Sequence, residues 1–189
     1  MSFLFVTVAL AVGLALVSGG SLRSIAATEV RHPEVLAAAV AIQFGLEVVH
    51  PLRGTAGHLA SALLVVSYAF LLFFCALNFR LRGLAVVAVG IALNGAVITL
   101  DRGMPIRAPQ AAVTTTTKHH AERPSDRLTP LGDIILLPAL RQSLSFGDLI
   151  MMVGLIDVVF HCSRNPATRR RVAAADARAD VPVDVANAA

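Results

Sequence analysis

The sequence predicts an all-α integral membrane bundle of about five transmembrane helices, plus a short interfacial or re-entrant helix. Three observations carry that reading. Of 189 residues, 56% are hydrophobic and 15% charged, with a mean hydropathy of +0.73; soluble domains carry about 25% charged residues. No charged residue occurs between Leu59 and Leu77 or between Leu84 and Leu100. Each run approaches the roughly 20 apolar residues needed to cross a hydrocarbon core of about 30 Å. A helix apolar on every side needs lipid or a large protein core around it, and a chain of this length cannot bury several such helices.

The elements follow in order. Candidate spans cover about 2–18, 34–50, 57–78, 83–100 and 146–162, within a membrane domain of residues 1–163. The first, "SFLFVTVALAVGLALVS", has a signal peptide as its alternative, but no Lys or Arg precedes its apolar stretch. Gly13, Gly19 and Gly20 suit close helix packing and then a helix end. At the close of the fourth span, Gly103 is placed as the left-handed residue past the helix and Pro105 forbids continuation. The connection from 101 to 145 begins as exposed, irregular chain through "PQAAVTTTTKHHAERPSDR". "TPLGDIILLPAL" then predicts the short apolar helix, with Thr129 as N-cap, Pro130 at N1 and Pro138 as its stop. Ser145 and Asp148 stand at capping-box spacing for the fifth span. The tail, 164–189, shows no helical periodicity and reads as disordered.

Charge sets the expected orientation. Arg23 and Arg31 lie in the first loop, Arg80 and Arg82 in the third, and Arg164, Arg169, Arg170 and Arg171 in the tail, against Arg53 alone in the second. Basic loops mark the cytoplasmic side, which puts the amino terminus outside a cell membrane and the carboxyl terminus inside. The long 101–145 connection, with six bases, then falls outside. The pI near 10 reflects these loop arginines and not a nucleic-acid face, so the expected partners are the lipid bilayer and other membrane subunits. Cys75 and Cys162 are too few and too isolated for a zinc site or a disulfide framework.

Polar residues inside lipid are costly, and each asks for a reason. Gln43, Glu47 and His50 follow one another at i, i+4 and i+7, a stripe down one helical face. His58 opens the third span, Asn94 lies in the fourth, and Asp157 and His161 stand four apart in the fifth. On the expected topology Gln43, Glu47, His50, Asn94, Asp101 and Asp148 share the outer half. One reading is a ligand-binding pocket opening outward and built from these six. The plainer readings are helix caps for Asp148 and Asp133, an interhelical hydrogen bond for Asn94, and a mutual pair for Asp157 and His161. Asp101, an acid at a helix C-terminus, asks for a compensating partner. His119 and His120 are adjacent and point apart on any regular backbone, so no metal site is expected. The sequence contains no GxSxG, P-loop, dinucleotide or HExxH signature, and it points to no cofactor.

Three functional expectations result. The leading one is a non-enzymatic, permease-like, ligand-binding or accessory membrane component with a polar site in the outer half. The second is a membrane enzyme acting on a lipid or isoprenoid head group through Asp101, Asp133 and Asp148 with His119 or His120, with a divalent metal as one option. It requires those acids to converge on one point. The third is a structural subunit of a larger membrane complex.

The segments "GGSLRSIA", "LNGAVITLDRGMPI", "LTPLGDIILLP" and "SLSFGDLIMMVG", in that order, resemble a bacterial membrane family catalogued as domain of unknown function 5317. The likeness covers most of residues 1–160 and excludes the tail. Its most specific part is the Gly-Met-Pro turn combined with two later Gly-Asp segments. The resemblance implies a multi-pass bacterial membrane protein and no particular activity.

Overall fold

A computed structural model describes residues 2–48, 55–106, 119–137 and 142–179. In chain order the elements are α1 (Ser2–Val17), α2 (Leu22–Ala26), α3 (Pro33–Val48), α4 (Thr55–Leu77), α5 (Leu84–Asp101), β1 (Met104–Ile106) and β2 (His119–Ala121). A 3-10 turn (Thr129–Leu131), β3 (Ile135–Leu137), β4 (Gln142–Leu144), α6 (Phe146–Arg164) and α7 (Pro166–Ala179) complete the order. The helical bundle expected from hydropathy is present. Leu59–Leu77, Leu84–Asp101 and Phe146–Arg164 are long and apolar enough to cross a membrane. Helices α1 and α3 are apolar but run 16 residues each, about 24 Å at 1.5 Å per residue.

The long helices contact one another in sequence: α1 lies on α6, α6 on α5, α5 on α4, and α4 on α3. Between α5 and α4 the core is apolar, with Val87, Ile91, Val97 and Ile98 near Leu64, Tyr68 and Phe74. Between α5 and α6 it is backbone against backbone. Gly83 and Gly90 stand seven apart, as do Gly147 and Gly154, so each pair shares a helical face over two turns. A Cβ on Gly83 would lie 2.6 Å from Gly154 O, and one on Gly90 would lie 2.5 Å from Gly147 O. No side chain fits there.

On α1, Thr7, Ala11 and Ala15 recur every four residues and are fully buried, whereas Val6, Leu10 and Leu14 are exposed to the hydrocarbon solvent expected around them. The expected packing role holds for Gly20, whose Cβ would strike Ser163 Oγ, and fails for Gly13, which faces open space. Gly19, at φ +81°, ends the helix.

The 101–145 connection departs most from expectation. It is folded where it is described. Met104, Pro105 and Ile106 are wholly buried and pair in parallel with β2, Met104 opposite His119 and Ile106 opposite Ala121. Asp133 N donates to Pro105 O at 3.1 Å and Glu122 N to Ile106 O at 2.9 Å, so two later stretches bracket β1. The short helix expected from Thr129 is a single 3-10 turn capped by Leu128 rather than Thr129. The chain then extends into β3, which pairs antiparallel with β4, Ile135 opposite Leu144. Asp133 therefore follows the turn and lies in no helical first turn. At the end of α5 the left-handed cap is Arg102, at φ 56°, one residue before Gly103.

The tail is also ordered at its start. Pro166–Ala179, expected to be disordered, is α7. Asn165 ends α6, and its side-chain oxygen accepts from Ala167 N at 3.0 Å to begin the next helix. Exposed ion pairs hold α7 to the first loop: Arg23 to Asp176 at 2.6 Å, and Arg171 to Glu29.

Leucine at Gly90 or Gly154 is expected to lower bundle stability by about 1–3 kcal/mol or more through overpacking. Alanine at Gly13, which meets nothing, should leave it unchanged or raise it slightly. Thermal unfolding of the detergent-solubilised chain, followed by circular dichroism, reads both outcomes.

Candidate functional site

Of the six residues expected to line an outer pocket, those whose side chains are described separate into three groups. Helix α3 supplies the first. Gln43 Nε2 donates to Ser67 Oγ at 3.1 Å, and the Ser67 hydroxyl, fully buried on α4, donates to Leu64 O at 2.6 Å. Glu47 lies one turn beyond Gln43 on α3, with its side chain outside the described structure; His50 lies outside the described residues.

The second group joins α5 to α6. Asn94, 1% exposed, donates from Nδ2 to Asp148 Oδ1 at 2.8 Å. Its Oδ1 accepts from Ser145 Oγ at 2.8 Å. Ser145 is also the N-cap of α6, with the capping box closed in both directions: Asp148 N to Ser145 Oγ at 3.0 Å, and Ser145 N to Asp148 Oδ2 at 3.0 Å. The ring Asn94–Ser145–Asp148 is thus complete. Gly147 makes room for it, since a Cβ there would overlap the Asn94 carboxamide. The capping and interhelical readings of Asp148 and Asn94 describe the same network.

Asp101 forms the third group. Its Oδ1 accepts from Arg127 N at 2.8 Å and its Oδ2 from Leu128 N at 3.0 Å. Among the described residues, the compensation that an acid at a helix C-terminus requires comes from two backbone amides of the 101–145 connection. Asp101 is seven residues beyond Asn94, roughly 10 Å along the axis, so Asp148 and Asp101 serve different levels of the bundle. Asp133 is buried beside β1 and bridges Ile106. Among the described residues, no three His, Cys, Asp or Glu side chains are grouped so as to hold a metal ion. The side chains of His58, His119 and His120 lie outside the description; the backbone of β2 sets His119 and His120 opposite Met104 and Pro105.

At the opposite end, Asp157 and His161 pair as their spacing suggests, His161 Nδ1 lying 3.0 Å from Asp157 Oδ1, with Arg82 Nη1 3.4 Å from His161 Nε2. Sequence reasoning missed Asn78. Buried at the end of α4, it accepts from Arg31 N at 2.7 Å and donates to Arg31 O at 2.8 Å, fastening the first loop to the third. No local signal marks it, because its partner is 47 residues away. The glycine register of α5 and α6 was missed as well, although its signal is local: two glycine pairs, both spaced by seven, in two apolar runs.

Asp101→Ala is expected to release the segment around Arg127 and Leu128. Amide hydrogen exchange at those two residues should rise by an order of magnitude or more, as expected when about 1–3 kcal/mol of charge-assisted bonding is lost, while protection across α5 and α6 stays.

The segment found by comparison contains all three groups. The family described as "Family of unknown function (DUF5317)" matches residues 27–160, from the end of α2 to near the end of α6. It leaves out α1 and the "GGSLRSIA" stretch. Neither a curated protein nor a solved structure matches the chain. Several apolar helices and the extent of this match make the chain a membrane protein belonging to DUF5317, a family of unknown function.

Proposed function

We propose that this protein is a non-enzymatic accessory component of the membrane, a helical module that acts through its contacts with other membrane proteins. The carrying observation is the closed ring of Asn94, Ser145 and Asp148. The polar residues most suggestive of a pocket between α5 and α6 satisfy one another across a helix–helix contact. Both oxygens of Asp148 and both of Asp101 are engaged by donors fixed in the fold. Carboxylates used in this way set helix register and loop position. Asp148 and Asp101, two of the acids that a head-group enzyme would need at one point, serve different levels of the bundle instead.

One observation favours a second reading, a ligand site between α3 and α4. Gln43 already turns toward Ser67 of α4, and Glu47 follows one turn outward on the same helical face. Such a site would use Gln43, Glu47 and His50 without Asn94, Asp101 or Asp148.

A single comparison separates these readings. On the accessory reading, Asp148→Ala lowers stability by about 1–3 kcal/mol, leaving Asn94 and the Ser145 amide without their acceptor, and reduces copurification of membrane partners in parallel. Glu47→Gln leaves both unchanged. A folded Glu47→Gln protein that keeps its partners but loses binding or movement of a small solute would overturn the accessory reading in favour of the α3–α4 site.

We further propose that the 101–145 connection faces outward and α7 the cytoplasm of a cell membrane, from the arginine distribution between loops. Cysteines placed as Asp126→Cys and Ala174→Cys test this in intact cells, since the native Cys75 and Cys162 are both buried. A membrane-impermeant maleimide should label the first directly and the second only after permeabilisation. The reverse pattern inverts the topology.

A further inference from the structure

The end of the bundle formed by residues 18–34, 78–83 and 164–179 is one continuous surface. Ser21 N donates to Ser163 O at 3.0 Å, Asn78 clasps Arg31, Arg82 meets His161, and α7 lies on α2. These three stretches carry nine arginines against Glu29, Glu34 and Asp176. Each of the three acids is already taken: Glu29 by Arg171, Asp176 by Arg23, and Glu34 by His32 at 2.8 Å. Arg164 is turned onto the Phe160 ring, its guanidinium carbon 4.3 Å from the centroid. Among the described residues no acid is ion-paired with Arg31, Arg80, Arg169, Arg170 or Arg178, and all five are exposed.

Position gives this charge its meaning. Helix α6 is long and apolar enough to cross the membrane and ends at Arg164. The chain breaks at Asn165 and restarts at once as α7, with Thr168 buried, Val172 half-buried, and Arg169 and Arg170 exposed. Arginines that begin within two turns of a span's last residue lie at head-group depth. A guanidinium there meets phosphodiester oxygens in the two-pronged geometry it favours.

We propose that this arginine-rich end is a binding surface for anionic phospholipid head groups, with Arg169 and Arg170 of α7 at its centre. The ion pairs of α7 with the first loop hold the helix on α2, and the unmatched guanidiniums on its free face supply the contacts. The surface goes beyond the accessory role proposed above, and it does not depend on which side of the membrane this end occupies.

The test uses the full-length chain in detergent, delipidated and then offered equal amounts of phosphatidylglycerol and phosphatidylcholine, with bound lipid counted by native mass spectrometry. Phosphatidylglycerol should be retained in preference, and the preference should shrink as salt rises. Arg169→Gln with Arg170→Gln should cut the ratio by about fivefold for each arginine removed, following the roughly 1 kcal/mol that a basic residue gains near an anionic surface. Among the described residues neither guanidinium has an ion-pair partner, so size exclusion and thermal unfolding of this variant should match the parent. A second pair, Arg102→Gln with Arg123→Gln at the opposite end, should leave the ratio unchanged. Equal retention of the two lipids by the parent overturns the proposal, as does an unchanged ratio in the α7 variant or an equal fall in both variants.

Discussion

The contact between α5 and α6 determines where every other part of the chain sits. Lipid offers no hydrophobic drive for helices to associate, so close van der Waals approach and polar ties must supply it. Here both occur on one face. Gly83 lies against Gly154, and Gly90 against Gly147, close enough that no Cβ could enter. One turn past Gly90, Asn94 reaches Ser145 and Asp148 at the very start of α6. Sliding either helix by a turn would press a Val or Met side chain onto backbone and leave the Asn94 carboxamide unpaired in the membrane. Steric fit and hydrogen bonding therefore specify the same register.

That register explains why residues resembling a pocket form a tie instead. A buried amide or carboxylate in hydrocarbon is stable only with its partners in place. The sequence shows such groups but not who satisfies them. For Asn94 the partners are 51 and 54 residues away, and for Asp101 they are amides 26 and 27 residues away. Asp101 does for the 101–145 connection what Asn78 does for the first loop at the other end. In each case one buried side chain holds two backbone groups of a passing segment.

Hydropathy made the helices legible because lipid selects on composition over a whole span. Capping made the start of α6 legible because Ser145 and Asp148 need only each other and three intervening bonds. The 101–145 connection was not legible for a physical reason. Met104–Ile106 and His119–Ala121 are three residues long and pair in parallel across an intervening segment, so neither has the alternation or the turn that marks a hairpin. The run from Thr129 was apolar enough for a short helix. Its burial beside β1, with the Asp133 amide bonded to Pro105 O, draws it into extended chain after a single turn. In the tail, Ala and Arg are strong helix formers, and α7 gains its docking from Glu29 and Asp176, which pair with residues of distant sequence.

The two ends of the bundle consequently differ in kind. At the 101–145 end, buried Met104, Pro105 and Ile106 and the paired amides on Asp101 join the connection to the core itself. Opening it would expose apolar strand and strand two carboxylate contacts at once. At the arginine end, α7 is held largely by exposed ion pairs, each contributing about 1 kcal/mol or less and weakened by salt. Local opening free energies follow such differences in buried contact, so α7 can separate from α2 without disturbing the α5–α6 register. The molecule thus joins a fixed cap at one face of its membrane span to an adjustable cationic helix at the other. The exposed ion pairs of α7 are contacts that charges supplied by its surroundings can replace.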